Sequence, residues 1–227
     1  MDSTKVSVII PAWRETENLT RLLSSIEAEG VEVIVTIPDG DEISVDTASR
    51  FDVAVVLGNA GRGAQLSKGA DAATGEIFLF CHADTELPAG WKDSVIALLA
   101  DEKVSCGAFR LRFNAPGRGY RLTEFIGNLR CRLFGLPYGD QTLFTTRRAY
   151  YSAGGFKPLP LMEDVDMVKR LSKVGSVVIH KDMAITSARR YEKIGLLQGV
   201  ARNFIIITLY TLGVSESRLS AWYHREE

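Results

Sequence analysis

Cysteine is scarce in this sequence and its spacing serves no evident purpose. Cys81, Cys106 and Cys131 are an odd number, widely separated, with no CxxC pair. That argues against a disulfide framework or a structural zinc site and makes a reduced, cytoplasmic setting the simplest expectation. Cys81, although next to His82, reads as a small buried hydrophobe. A dominant charge is also missing: 27 basic residues against 28 acidic give a net charge of -1. No global field points to nucleic acid, so any anion site must be local. Long apolar runs are absent too. The N-terminus MDSTKVSVIIPAW is too short and too polar for a secretory signal. The longest apolar stretch, Phe204 to Val214 behind Arg202 and Asn203, falls short of the roughly 20 residues a membrane-spanning helix needs. A core helix, a homodimer contact or a peripheral membrane contact stay open for it. With no repeat, low-complexity tract or linker, 227 residues at 46% hydrophobic and 24% charged read as one domain, 1–227.

What is present is a strand and helix alternation. Val6 to Ile10 is a β-branched run ended by Pro11, and Asn18 to Glu29 places Leu19, Leu22, Leu23 and Ile26 at helical spacing. Strands follow at Val31 to Ile37, Val53 to Leu57 and Ile77 to Phe80, separated by helices at Ser44 to Arg50 and up to Ala73. This is the pattern of a doubly wound, mostly parallel α/β sheet. Beyond residue 100 the order changes: strands at Gly107 to Phe113, Thr142 to Thr146 and Val177 to His180, helices at Tyr120 to Phe134 and from Met162 to Val174, and a mostly helical remainder.

Three strands end in acidic or polar loops: Trp13 to Glu15, Asp39 to Asp41, and His82 to Asp84. In an open α/β sheet such loops converge on one crevice. Asp84, at the end of the apolar run Ile77 to Phe80, suits a hard divalent cation that keeps water and phosphate in its shell. A turn former or helix cap is the plain alternative for the same residue.

The pieces VSVIIPAWRETENL at Val6 to Leu19, IPDGD at Ile37 to Asp41, FCHADTELP at Phe80 to Pro88 and PLMEDVDMVKRL at Pro160 to Leu171 resemble, in that order, the family 2 glycosyltransferases. The resemblance covers nearly the whole chain. It implies the GT-A fold, a nucleotide-sugar-binding half at 1–100 and an acceptor-binding half at 101–227, and inverting transfer of one sugar from a nucleotide-diphosphate donor, with uridine as the default base. It also implies a Mg2+ or Mn2+ cofactor at the D-x-D motif, whose second position is Asp84. His82 stands at the first position, where it could ligate, hydrogen-bond, stack or be a plain loop residue. The resemblance further implies that Asp39 accepts from the base imide, with Pro11, Ala12, Glu15 and Ala83 around the nucleotide. Arg62 and Lys68 would reach base or diphosphate, with solvated charge as the alternative, and Arg189 and Arg190 would reach the diphosphate, with a basic helix cap as the alternative. Asp164 would be the general base, with Glu163 beside it, and Asp140 and Gln141 would border the acceptor pocket.

The Q-x-x-R-W motif of processive synthases is absent, which implies a single transfer. HADTELP, YGDQTLF, PLMEDVD and TSARRYEKIG look like a small bacterial subgroup linked with arsenosugar biosynthesis; the acceptor would be a small molecule or a lipid-linked one. Two rivals stand beside this reading. A nucleotidyltransferase would carry a glycine-rich basic loop after its first strand, where this chain has PAWRETEN. A non-catalytic sugar-nucleotide-binding protein would bind without turnover.

Overall fold

The structure, a computed structural model, describes residues 4–26 and 30–223. The amino-terminal half alternates strictly: β1 Val6–Pro11, α1 Thr16–Ser25, β2 Val31–Pro38, α2 Glu42–Ala48, β3 Ala54–Gly58, α3 Arg62–Ala72 and β4 Ile77–Phe80. There follow β5 Thr85–Glu86, α4 Trp91–Leu99, β6 Val104–Phe113, α5 Arg118–Phe134, a 3-10 turn Gly139–Gln141, β7 Leu143–Thr146, α6 Arg147–Ser152, α7 Glu163–Leu171, β8 Ser176–Thr186, α8 Arg189–Ile194, α9 Leu196–Thr211 and α10 Glu216–Tyr223. The end of the helix expected to reach Glu29 lies outside the described residues.

One sheet runs β3-β2-β1-β4-β7-β6-β8-β5. Its first four strands are parallel, β7 is antiparallel to both β4 and β6, and β6 and β8 are parallel. Strand β1 explains how one sheet carries two cores. Val6, Val8 and Ile10 face Leu19, Leu22, Trp91 and Val95 of α1 and α4. Ile9 points the other way, with Phe78 and Phe80, toward Leu66, Tyr150, Met167 and Leu171 of α3, α6 and α7. A strand covered on both faces has no polar side, which is why its sequence runs unbroken in β-branched residues. The strand order reverses between β1 and β4, and that switch point is where such sheets leave a crevice.

Three local features depart from the sequence reading. The loop after β4 pairs through Thr85 and Glu86 with Thr186 and Ile185 of β8, so it is anchored as a short strand. Helix α6 was not anticipated; Thr146 caps it by accepting the Ala149 N–H at 3.2 Å. The apolar stretch from Phe204 is a helix that is core on one face only: Ile206 is buried with Leu161, Met162, Val165 and Leu219, while Phe204 is 70% exposed. None of the described helices is long and apolar enough to cross a membrane.

Candidate active site

The loop after β4, the 3-10 turn and the amino ends of α3, α7 and α8 surround a cavity of about 300 Å³. Arg62, His82, Asp84, Asp140, Asp164 and Arg189 all line it. Asp84 is fixed by its backbone: its carbonyl accepts from the Ser187 N–H at 3.1 Å, and a turn closes behind it from Thr85 N–H to His82 carbonyl at 3.1 Å. The apolar strand thus delivers a half-buried imidazole and carboxylate to its carboxyl end.

Helix α7 supplies the opposite wall. Met162 enters it in the left-handed region at φ 66°, a strained backbone for a side chain of this kind, and the two acids after it point different ways. Glu163 is 2% exposed and accepts a hydrogen bond from Arg62. Asp164 Oδ2 accepts the Gly139 N–H at 2.7 Å and Oδ1 accepts the Val165 N–H at 2.7 Å, which fixes the carboxylate at the cavity. Gly139 leaves no room for a side chain, since a Cβ there would lie 2.9 Å from His82 Nε2 and 3.4 Å from Asp164 Oδ2. The expected pair is therefore divided: Asp164 faces the cavity, while Glu163 is the buried partner of Arg62.

Burial dominates the electrostatics. Burial, helped by the Arg62 guanidinium, pushes the His82 imidazole down to about 3, so it is neutral at physiological pH and has a lone pair to offer. Burial also raises the Asp84 carboxyl, and Arg189 opposes that rise. Asp140 is pushed up to about 6, first by burial and then by Asp164, and its Oδ1 is buried with no hydrogen-bond partner. An acid whose folded value lies above its ordinary 3.8 weakens the fold as pH rises between the two values, and the penalty is complete above the folded one. Asp140→Asn is accordingly expected to stabilise the protein by about 2 kcal/mol near pH 8, after allowance for solvent screening, and by nothing below about pH 4. Urea melts in EDTA at both pH values check this.

The remaining expected residues separate into groups. Glu15 is held by Asn18 Nδ2 at 2.7 Å and by Arg189, which ties the loop after β1 to α8. Pro11 ends β1, and Ala12 and Ala83 are buried in the core beneath β1 and β4 without lining the cavity. Asp39 and Lys68 lie apart from the cavity and meet at Gly58: the Asp39 N–H bonds the Gly58 carbonyl at 2.9 Å, and the Lys68 stem closes over Gly58, with its ammonium on the Leu57 carbonyl. Arg190 lines the cavity with its guanidinium 4.2 Å from the Tyr223 ring. Gln141 does not line it. It is 1% exposed, with Nε2 donating to the Phe109 carbonyl at 3.1 Å and Oε1 accepting the Tyr138 N–H at 3.2 Å, so it holds the turn and does not face an acceptor.

Other residues were not visible in the sequence. Tyr138, Tyr191, Asn203 and Tyr223 also line the cavity, and Asn203 Nδ2 donates to the Tyr191 hydroxyl at 2.9 Å. Gln65 joins the ends of β1 and β2 by donating to the Ala12 carbonyl at 3.0 Å and the Thr36 carbonyl at 2.8 Å. No local motif marks these positions, because each arrives from a different element. The three cysteines are free and buried, and burial pushes the Cys81 thiol up to about 12, which keeps it protonated beside His82.

The fold recurs in solved structures. Glucosyl-3-phosphoglycerate synthase from Mycobacterium tuberculosis, crystallised with Mn2+, UDP and phosphoglyceric acid, superposes with a TM-score of 0.65 at 20% identity over 93% of this chain and 80% of that one. A mannosyltransferase from Pyrobaculum calidifontis, crystallised with GDP-Man and Mn2+, gives 0.59 at 19% identity over 80% of this chain and 56% of that one. At these identities the likeness is one of fold. No curated protein sequence matches. The sequence model of glycosyl transferase family 2, however, matches residues 7–157, from β1 through the strand ends that build the cavity to the approach to α7. The chain belongs to glycosyl transferase family 2 and is a glycosyltransferase.

Proposed function

We propose that this enzyme moves one sugar from a nucleotide-diphosphate sugar to an acceptor hydroxyl, in a single inverting step assisted by a divalent cation. The observation that supports this reading is the placement of Asp164 on the wall of a cavity whose other sides carry His82 and Asp84, Arg62 and Arg189. In this reading a base, a cation site and phosphate-binding guanidiniums share one small volume. Among the described residues no cluster of three or more His, Cys, Asp or Glu forms a closed metal cage. Mg2+ and Mn2+ keep open positions for water and phosphate oxygens and need few protein ligands. Asp84 and the neutral His82 would hold it, and when bound it would neutralise charge developing on the leaving diphosphate. The structural relatives crystallised with Mn2+ and UDP or with Mn2+ and GDP-Man support a divalent cation and a nucleotide-sugar donor.

The chain's own residues do the rest. Arg189 and Arg62 offer forked donors to phosphate oxygens. Asp39, exposed after β2, and Lys68 of α3, exposed over the end of β3, extend the donor site toward the base, with Pro11, Ala12 and Ala83 behind it. Asp164 accepts the proton of the acceptor hydroxyl as its oxygen attacks the anomeric carbon opposite the diphosphate. Asp140, Arg190 and the tyrosine wall border the acceptor, and arsenosugar precursors are the first acceptors to assay, given the subgroup motifs.

Calorimetric titration with UDP and with GDP, each with and without Mn2+, tests the reading. One nucleotide is expected to bind, UDP first, only with the cation, and Asp84→Ala is expected to abolish that binding. No binding under any condition would remove the donor site. Pyrophosphate release from a nucleoside triphosphate would instead favour nucleotide transfer, and binding without turnover would favour a non-catalytic role.

A further inference from the structure

Helix α5 is turned inside out. At 100° per residue Leu122, Phe125, Ile126, Leu129 and Leu133 fall within about 100° of its circumference. That stripe faces solvent, with Phe125 63% and Leu133 66% exposed. The inward side is polar for a definite reason. Strand β7 pairs with β6 only at Gly107 and Ala108, so the far half of β6 has an open edge. Asn128 closes that edge at Leu111, with bonds of 2.8 and 3.1 Å, and Glu124 accepts the Phe113 N–H at 2.8 Å. A helix that gives its polar face to a strand edge must present its apolar face outward, and an exposed stripe of this size marks an interaction surface.

The charge beside the stripe selects the occupant. Arg118, Arg121 and Arg132 lie on the stripe or along one margin of it, and Arg110 stands with Arg121 and Arg132 in the adjoining cleft. The sole acid of α5, Glu124, is buried and paired with Arg121 at 2.9 Å and Arg112 at 3.5 Å. Among the described residues Arg110, Arg118 and Arg132 form no ion pair. This local basic face stands out in a chain whose net charge is -1. A second copy apposed on the stripe would bring arginine against arginine, whereas anionic headgroups would meet the guanidiniums while the apolar side chains enter the acyl boundary. We propose that α5 docks the enzyme on an anionic phospholipid surface. Helix α9 adjoins α5 at its amino end, where Leu196 presses on Gly119; Asn203 and Ile206 of α9 line the acceptor side of the cavity. The docked enzyme would therefore work close to the membrane plane.

Co-sedimentation of the full chain with vesicles of phosphatidylcholine alone, and of phosphatidylcholine with phosphatidylglycerol, tests the proposal. Pelleting is expected with the anionic vesicles, falling with added salt and roughly fivefold for each arginine lost in Arg118→Gln and Arg132→Gln. Phe125→Asp with Leu133→Asp is expected to abolish pelleting while nucleotide binding is unchanged, since neither side chain lines the cavity and both are exposed. Wild-type protein left in the supernatant with both vesicles overturns the proposal, as does pelleting insensitive to these substitutions. A dimer that the double substitution converts to monomer also overturns it, because a second copy would then cover the stripe. The docking assay does not depend on the transferase reading, so each can fail without the other.

Discussion

Replacing Asp164 by asparagine is expected to lower kcat by about 100-fold to 10,000-fold, the range a positioned general base contributes, and to leave nucleotide affinity within about twofold. The asymmetry follows from where the side chain sits. Asp164 lines the cavity and is oriented by two backbone N–H groups, those of Gly139 and Val165, at 2.7 Å each. Both contacts come from the turn and from α7, on the wall that faces the acceptor in this reading, and neither involves the strand ends that would carry the nucleotide. Asparagine keeps the volume but has no basic oxygen for a hydroxyl proton, so the chemical step is lost while donor binding survives. Single-turnover kinetics beside calorimetry separates the two. Retained turnover would remove Asp164 from the mechanism, and a parallel loss of nucleotide binding would show that it serves only to hold the turn.

Replacing Arg62 by methionine is expected to cost about 3 kcal/mol of stability near pH 8, the low end for breaking a buried pair because water reaches the outer side of Arg62. Its side chain is 43% exposed against 2% for Glu163, so the burden falls on the carboxylate. Burial already holds the Glu163 carboxyl above its ordinary 4.5, with Arg62 pulling it back, and loss of the guanidinium raises it further. Below about pH 4.5 folded and unfolded chains both carry the proton and the penalty disappears; it grows as pH rises and the unfolded chain alone ionises freely. Arg62→Met combined with Glu163→Gln is expected to recover most of the loss, since no buried charge is then left unpaired. Urea denaturation across pH measures all three variants. A loss that is the same at every pH, or that the double variant does not recover, would show that Glu163 does not depend on Arg62.

Much of the framework could be read directly from the residues. The strands of the first half, their buried character and the acidic loops at their ends follow from β-branched runs cut by Pro11 and Pro38 and from helical spacing in α1, all of which are local. Other features were beyond that reading. Helix α6 begins at a threonine cap with no conspicuous apolar period. Thr85 and Glu86 became a strand because β8 offered them an edge. Gln141, next to Asp140 in sequence, is rotated into the interior by the 3-10 turn and serves the backbone of β6.

The sequence by itself determined the α/β alternation, the order of the strand ends and the identity of the acids and cations available there, because side-chain period, helix caps and proline breaks act within a few residues. Only the tertiary structure decided which of them work together. It separated Asp164 from Glu163, assembled a tyrosine wall from α8, α10 and the segment before the turn, and drew Asp39 and Lys68 together over Gly58. It also turned the apolar face of α5 to the outside. The reason is the same in each case: a side chain's role is set by the partner left unsatisfied across from it, such as an open strand edge, a buried carboxylate or an orphaned N–H, and that partner lies from about ten to about a hundred residues away in the chain.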